Sequence, residues 1–391
     1  MREEERRRAI VEAVRAGVSQ RATARAFGVG LGTVQRWVAR AATSRLDRVD
    51  WADRSSRPHR TTRSGPELER LVLDVRLELR ERSILGEYGA RAIRDALAER
   101  RDLPWPVPAV RTIGRILSRH GLLDRRRRRS PAPPPAGWYL PDVREWDTEL
   151  DSFDTIEELG LVDGPTLTVL TGISLHGGLA VAWPERSISV RRTIGALVGH
   201  WAEVGLPGYA QFDNDARFAG SHSRPDAIGR VIRACLALGV TPVFAPPREH
   251  GFQAAIEAFN GRWQRSVWRR FGDTSLEEFQ LRSARYIAAT RRRDAARIDV
   301  APTRHPFPAL VDLAAPPAGR LVFLRRTSEA GMATVLGRSY PVDRHWLHRL
   351  VRAELDIDER RLRFFALRRR DPAHQPLLRE LVYHPPLWWS D

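Results

Sequence analysis

The sequence predicts a multidomain chain, with helix-turn-helix modules at the amino terminus, an α/β core in the middle and a small β-barrel at the carboxy end. Three observations carry this. Apolar residues recur at helical spacing over residues 5–41 and again over 67–121. From residue 145 to about 270, β-prone runs alternate with helical ones. Beyond residue 316, short apolar runs are separated by Gly and charged turns. A length of 391 residues accommodates a core with accessory modules.

Composition narrows the partner and the compartment. Lys and Arg number 65 against 48 Asp and Glu, a formal charge of +17, which suits a polyanion such as nucleic acid, although charge alone also fits RNA or a membrane surface. The single Cys235 excludes an intramolecular disulfide and a cysteine-rich zinc site. No apolar run reaches membrane-spanning length, and the start MREEERRR lacks the apolar core of a secretion signal. A cytoplasmic protein without a membrane partner is expected.

Residues 1–42 form the first module. Ile10, Val11, Val14, Ala22, Ala26, Phe27, Val34, Trp37 and Val38 give three short helices a common core, Ser19 can cap the second, and Gly28 and Gly30 permit a turn before the third. As a helix-turn-helix it presents Thr33, Gln35, Arg36 and Arg40 to double-stranded DNA; the competing account is a basic protein-binding bundle. Residues 43–66 read as a basic linker. Residues 67–124 form a second helix-turn-helix or winged-helix unit, with Leu71, Val75, Leu79, Ile93, Leu97, Ile113, Ile116 and Leu117 inside and Arg111, Arg115 and Arg119 along one face, for DNA or simply for solvent. An Arg/Pro-rich arm follows over 125–142, where Arg125, Arg126, Arg127, Arg128 and Arg129 can track phosphates.

The core, residues 143–275, carries three acidic residues in suggestive contexts: Asp151 in WDTELDSFD, Asp213 in QFDNDARF and Glu257 in AAIEAFNGRW. Hard carboxylate oxygens suit Mg²⁺, and two divalent cations can activate a nucleophile and stabilise a leaving oxygen in phosphodiester transfer. Taken singly, each carboxylate is as easily a cap or a solvated side chain. Asp147 and Asp154 compete with Asp151 for the first position, because strand register decides which side chain faces inward. His222 and His250, near the supposed site, read as surface or DNA contacts rather than metal ligands.

FDNDARF followed by IEAFNGRW resembles the second and third acidic motifs of integrase-core transposases, the family of bacterial insertion-sequence transposases and retroviral integrases; the paired amino-terminal modules and the DRSSRPH linker fit the same likeness. The resemblance implies an RNase H-like catalytic core, Asp151, Asp213 and Glu257 as its metal-binding triad, two Mg²⁺ or Mn²⁺, and a homo-oligomer on DNA that cleaves mobile-element ends and joins them to target DNA. It gives Asn214 and Asn260 supporting roles near metal or DNA. Arg248, Arg262, Trp263 and Arg265 are candidates for holding DNA beside Glu257. The sequence departs from the family where Asp215 stands in place of the usual Gly and Arg217 in place of an acidic or polar residue, and the interval from Asp213 to Glu257 is long.

Residues 276–315 read as a linking helix and connector, and 316–391 as the barrel-like DNA-binding domain, with Arg325, Arg326, Arg338 and Arg349 available to phosphates and Val322, Leu324, Val335, Leu355 and Phe364 inside. The resulting expectation is a nucleoid-associated DNA transposase. The alternatives are a non-catalytic DNA-binding regulator with a degenerate core, and a metal-dependent nuclease without strand transfer.

Overall fold

The computed structural model describes residues 3–53, 64–101, 103–123, 134–220, 224–247, 249, 251–270, 275–386 and 389. The arm residues Arg125 to Arg129, most of DRSSRPH, and Arg248, His222 and His250 lie outside the described residues. The chain divides into two compact units, residues 1–65 and 66–391.

The first unit holds α1 (Glu3–Arg15), α2 (Gln20–Ala26) and α3 (Leu31–Ala41). Ile10, Ala24 and Val34 are buried together. Ser19 caps α2 by accepting from Ala22 N at 3.3 Å, and Gly28, at φ +59°, makes the turn towards α3. The module extends past residue 42. Leu46, Val49 and Trp51 pack on Val11, Trp37 and Ala41, and Arg7 donates to Trp51 O and Asp53 Oδ2, each at 2.7 Å. Part of the expected linker therefore closes this small core.

In the second unit, α4 (Pro66–Arg82), α5 (Ala90–Ala98) and α6 (Val110–Arg119) bury Val72, Val75, Ile93, Leu97, Ile113, Ile116 and Leu117. Leu71 and Leu79, expected inside, are only half-buried. These helices dock on the α/β region through the end of α4. Arg270 donates to Arg80 O at 2.9 Å and Glu81 O at 2.6 Å, satisfying carbonyls a helix end leaves unpaired.

The α/β region runs α7 (Pro141–Arg144), β1 (Leu150–Gly160), β2 (Thr166–Ser174), β3 (Ala180–Glu185), α8 (Val190–Val204), β4 (Tyr209–Phe212), α9 (Ala216–Ala219), α10 (Arg230–Ala237), β5 (Thr241–Phe244), α11 (Ala254–Trp263), α12 (Leu276–Arg293) and α13 (Ala295–Asp299). A π turn, Gln264–Trp268, continues α11. β1, β2 and β3 are an antiparallel meander, and β4 and β5 join beside β1 in parallel. The result is a mixed α/β sheet. One face packs Phe153, Phe212 and Val231 with Trp201 of α8; the other packs Ile156 and Val169 against Ile256, Phe259 and Trp263 of α11 and Phe279 of α12.

The carboxy-terminal strands are β6 (Arg320–Arg326), β7 (Met332–Val335), β8 (Arg338–Pro341), β9 (Leu350–Asp356), β10 (Arg361–Ala366) and β11 (Leu377–Val382). They do not form the separate closed barrel the sequence suggests. β6 pairs in parallel with β5, matching Val243 to Val322 and Phe244 to Phe323, so the described residues form one open sheet in the order β11-β10-β9-β6-β5-β4-β1-β2-β3. The edge of β5 would otherwise leave backbone donors and acceptors unpaired. The β7–β8 hairpin lies outside that sheet and adds Ala333 and Val335 to the core. Val322, Leu324, Val335, Leu355 and Phe364 are buried as expected. No described helix is long and apolar enough to cross a membrane.

Candidate active site

Strand geometry separates the acidic residues of WDTELDSFD. Successive side chains of β1 point to opposite faces, so positions three apart face opposite ways. Asp151 shares the face of Phe153, towards α8. Its Oδ2 accepts from Trp201 Nε1 at 2.9 Å, and Arg304 spans both oxygens at 3.0 and 2.5 Å. At 1% exposure this carboxylate is enclosed. Asp151, expected as the first ligand, pairs with half-buried Arg304, an ion pair that anchors the connector, where Leu206 and His305 exchange backbone bonds of 2.8 and 2.9 Å.

Asp154 faces α11. Asn260 Nδ2 donates to Asp154 Oδ2 at 2.8 Å, and Thr155 N donates to Asp154 Oδ1 at 2.8 Å. Burial pushes the Asp154 carboxyl up to about 6; the charges of Asp213 and Glu257 add to the rise, while the bonds from Thr155 and Asn260 oppose it. Asp213 follows the end of β4, which lies beside β1, and burial is the first cause of the upward shift of its carboxyl. Glu257 is exposed in the first turn of α11, and Asn260 lies three residues on, on an adjoining face. Ile256, Phe259 and Trp263 fix the opposite face of that helix in the core.

The two departures from the family pattern acquire local roles. Asp215 caps α9, accepting from Arg217 N at 2.7 Å with φ at −60°, so its backbone has no need of glycine. Arg217 pairs with Asp215 at 2.7 Å and with Glu157 at 2.5 Å, and reaches Thr155 Oγ1 at 3.1 Å. It places a cation among these carboxylates.

The residues fit a divalent cation in donor type. All three carboxylates supply hard oxygen, and buried Asn260 Oδ1 has no hydrogen-bond partner. Its Nδ2 is already committed to Asp154, which orients the free oxygen as an acceptor. Among the described residues, no group of three or more His, Cys, Asp or Glu is arranged to hold a metal ion.

Other expected contacts divide by environment. Gln35 and Arg36 are exposed on α3 and Thr33 is half-buried, whereas Arg40 is occupied by Asp50 at 2.8 Å and Ala52 O at 2.9 Å. Arg111 and Arg115 are exposed on α6; Arg119 pairs with buried Glu69 and so braces α6 against α4. Arg265 is exposed and Arg262 half-buried, while Trp263 is fully buried and donates to Ser283 Oγ at 3.1 Å, a core role rather than a DNA contact.

Asn214 and Arg325 belong together. Asn214 Nδ2 donates to Ala245 O at 2.6 Å and its Oδ1 accepts from Arg325 Nη2 at 3.0 Å. Arg325 also donates to Leu324 O at 2.8 Å and Thr334 O at 3.1 Å, so its guanidinium is held against backbone carbonyls rather than extended into solvent. Arg326 pairs with Glu249. Arg304 and Glu149 were missed altogether. Glu149 is buried and accepts from three backbone N–H groups, those of Leu150, His176 and Gly177; an acidic residue in an acidic stretch gives no sign of such a role.

The fold and site together define a protein with an amino-terminal helix-turn-helix and a mixed α/β core in which Asp154 is bonded to the helix that carries Glu257. The Homeodomain-like domain family matches residues 1–50. No curated protein matches the chain. Among solved structures, the catalytic core domain of BIV integrase aligns at 13% identity over 36% of this chain and 81% of that one, with a TM-score of 0.28. A simian T-cell lymphotropic virus intasome, solved in complex with PP2A regulatory subunit B56 gamma, aligns at 12% identity over 68% of this chain and 84% of that one, with a TM-score of 0.33. Both resemblances are weak and partial.

Proposed function

We propose that this chain is a DNA transposase that cleaves phosphodiesters at mobile-element ends and transfers the strand to target DNA, with Asp154, Asp213 and Glu257 as its catalytic carboxylates. The observation that carries this reading is the half-buried Asp154 carboxyl, bonded by Asn260 and raised in pKa by burial first and then by the charges of Asp213 and Glu257. A carboxyl held up by burial and by neighbouring negative charge favours a bound cation, and a perturbed acid of this kind is a functional-site signature.

Mg²⁺ or Mn²⁺, when bound, supplies activation of a water or 3′-hydroxyl and stabilisation of the departing oxygen. The chain's own residues do the positioning. Asp154, Asp213 and Glu257, with Asn260 Oδ1, would hold the ions. Exposed Glu257 keeps the side-chain freedom to close on them, while α11 beneath it is fixed by its buried face. Arg217 limits repulsion by drawing Asp215 and Glu157 into ion pairs. Gln35 and Arg36 of α3 would bring duplex DNA to the protein, and paired ends would require a homo-oligomer.

The test is cleavage and joining of labelled candidate element-end DNA with Mg²⁺ or Mn²⁺, comparing wild type with D213A and D154A. Metal-dependent joining that both variants lose supports the proposal. Cleavage without joining identifies a nuclease, and specific binding without cleavage identifies a regulator.

A further inference from the structure

A cavity of about 770 Å³ lies between the β7–β8 hairpin, the β5–β6 strands and α10, within the size range of small-molecule sites. Ile232, Phe323 and Met332 give it an apolar wall, and Arg325 and Thr334 give it polar edges. Its described lining includes three arginines and no acidic residue. It shares Asn214 and Pro247 with the acidic cleft that contains Asp213.

Arg325 distinguishes this cavity from a packing gap. The hydrogen bonds of its guanidinium to Asn214, Leu324 and Thr334 all end on neutral oxygens. Burial lowers its pKa to about 10, which still leaves it cationic at neutral pH. A half-buried cation bonded only to neutral acceptors is poorly compensated, and an anion at the cavity mouth would complete it. Arg326, by contrast, is already paired with Glu249.

We infer that this cavity receives one nucleotide of the DNA strand next to the scissile phosphate, its phosphate towards Arg325 and its base along the apolar wall. The inference rests on the strand-transfer reading for its choice of a DNA strand. Asn214 follows Asp213 in sequence and borders both cavities, so a strand passing the carboxylates meets this cavity next. Extruding a base costs stacking energy, which an apolar wall and a cation can offset.

The test uses the full chain in EDTA. Affinities for dAMP, deoxyadenosine and inorganic phosphate are compared in wild type, Thr334→Trp, Arg325→Gln and Asp213→Asn. Thr334 is exposed on β7, and a Trp there fills the cavity while keeping the backbone carbonyl that Arg325 uses. Expected is dAMP binding at least about tenfold tighter than either part, lost in Thr334→Trp and weakened in Arg325→Gln. A single strand carrying 2-aminopurine should brighten with wild type and not with Thr334→Trp. Equal affinity for dAMP and its parts, unchanged binding by folded Thr334→Trp, or free dAMP binding with no 2-aminopurine response overturns the inference. Asp213→Asn should bind dAMP normally. Nucleotide binding and 2-aminopurine brightening by a wild type that never cleaves DNA would therefore support the cavity and remove only the strand-transfer reading.

Discussion

Asn260 Nδ2 donates to Asp154 Oδ2 at 2.8 Å, which ties α11 to β1. The amide fixes one oxygen of Asp154 and leaves its own Oδ1 buried and unpartnered. Asn260→Ala removes both functions at once. The half-saturating Mg²⁺ concentration for cleavage should rise about 10–100-fold, the range for losing a group that orients a metal ligand, with DNA affinity in EDTA unchanged. A metal titration of activity alongside a binding isotherm checks this, and an unchanged metal requirement would separate Asn260 from the site.

Asp154 also gives stability a defined pH dependence. Its folded-state carboxyl sits at about 6, against roughly 3.9 in an unfolded chain. Between those values the folded protein holds more protons than the unfolded one, so stability falls as pH rises from about 4 to 6 and then levels. The total loss is at most about 3 kcal/mol. In EDTA, Asp154→Asn should remove that decline and be the more stable protein at neutral pH. Denaturant melts across this window test the sign, and a wild type that gains stability over the same interval without a matching gain in the variant would contradict it.

Asp151 should behave in the opposite way. Asp151→Ala leaves Arg304 buried without its carboxylate and Trp201 Nε1 without its acceptor, and breaking such a pair costs about 3–5 kcal/mol. Replacing both partners, as Asp151→Leu with Arg304→Met, should recover part of the loss. If Asp151→Ala instead melts like wild type but abolishes cleavage, Asp151 and not Asp154 is the catalytic carboxylate.

These contrasts show what the sequence could convey. Helices α8 and α11 were legible because Leu197 and Trp201, or Ile256, Phe259 and Trp263, repeat at helical spacing. The choice between Asp151 and Asp154 was not, because an offset of three reverses the face of a strand and only pairing fixes the register. Strands β6, β9 and β10 could be read one by one, but the pairing of β6 with β5 joins residues far apart in sequence and leaves no local trace. β11 leaves no strand pattern in the sequence, because LLRELV sits exposed on the sheet edge and lacks a buried alternation. Arg325 read as surface charge because arginine composition carries no information about the cavity it borders.

In the first unit, two arginines of α3 should fail differently. Arg36 is exposed, so Arg36→Ala should weaken DNA binding and lower the slope of log affinity against log salt by about one, with the melting transition unchanged. Arg40 stacks over Trp37 at 4.9 Å and holds Asp50 and Ala52 O, which keep the segment after α3 against the bundle. Arg40→Ala should therefore destabilise this unit, by about 1 kcal/mol for a partly exposed pair with a cation–π contact. Binding and melting measured on the same preparations separate the two. If Arg36→Ala binds duplex DNA with wild-type affinity and salt slope, α3 is not the face that meets phosphate, and the exposed Arg111 and Arg115 of α6 become the next surface to test.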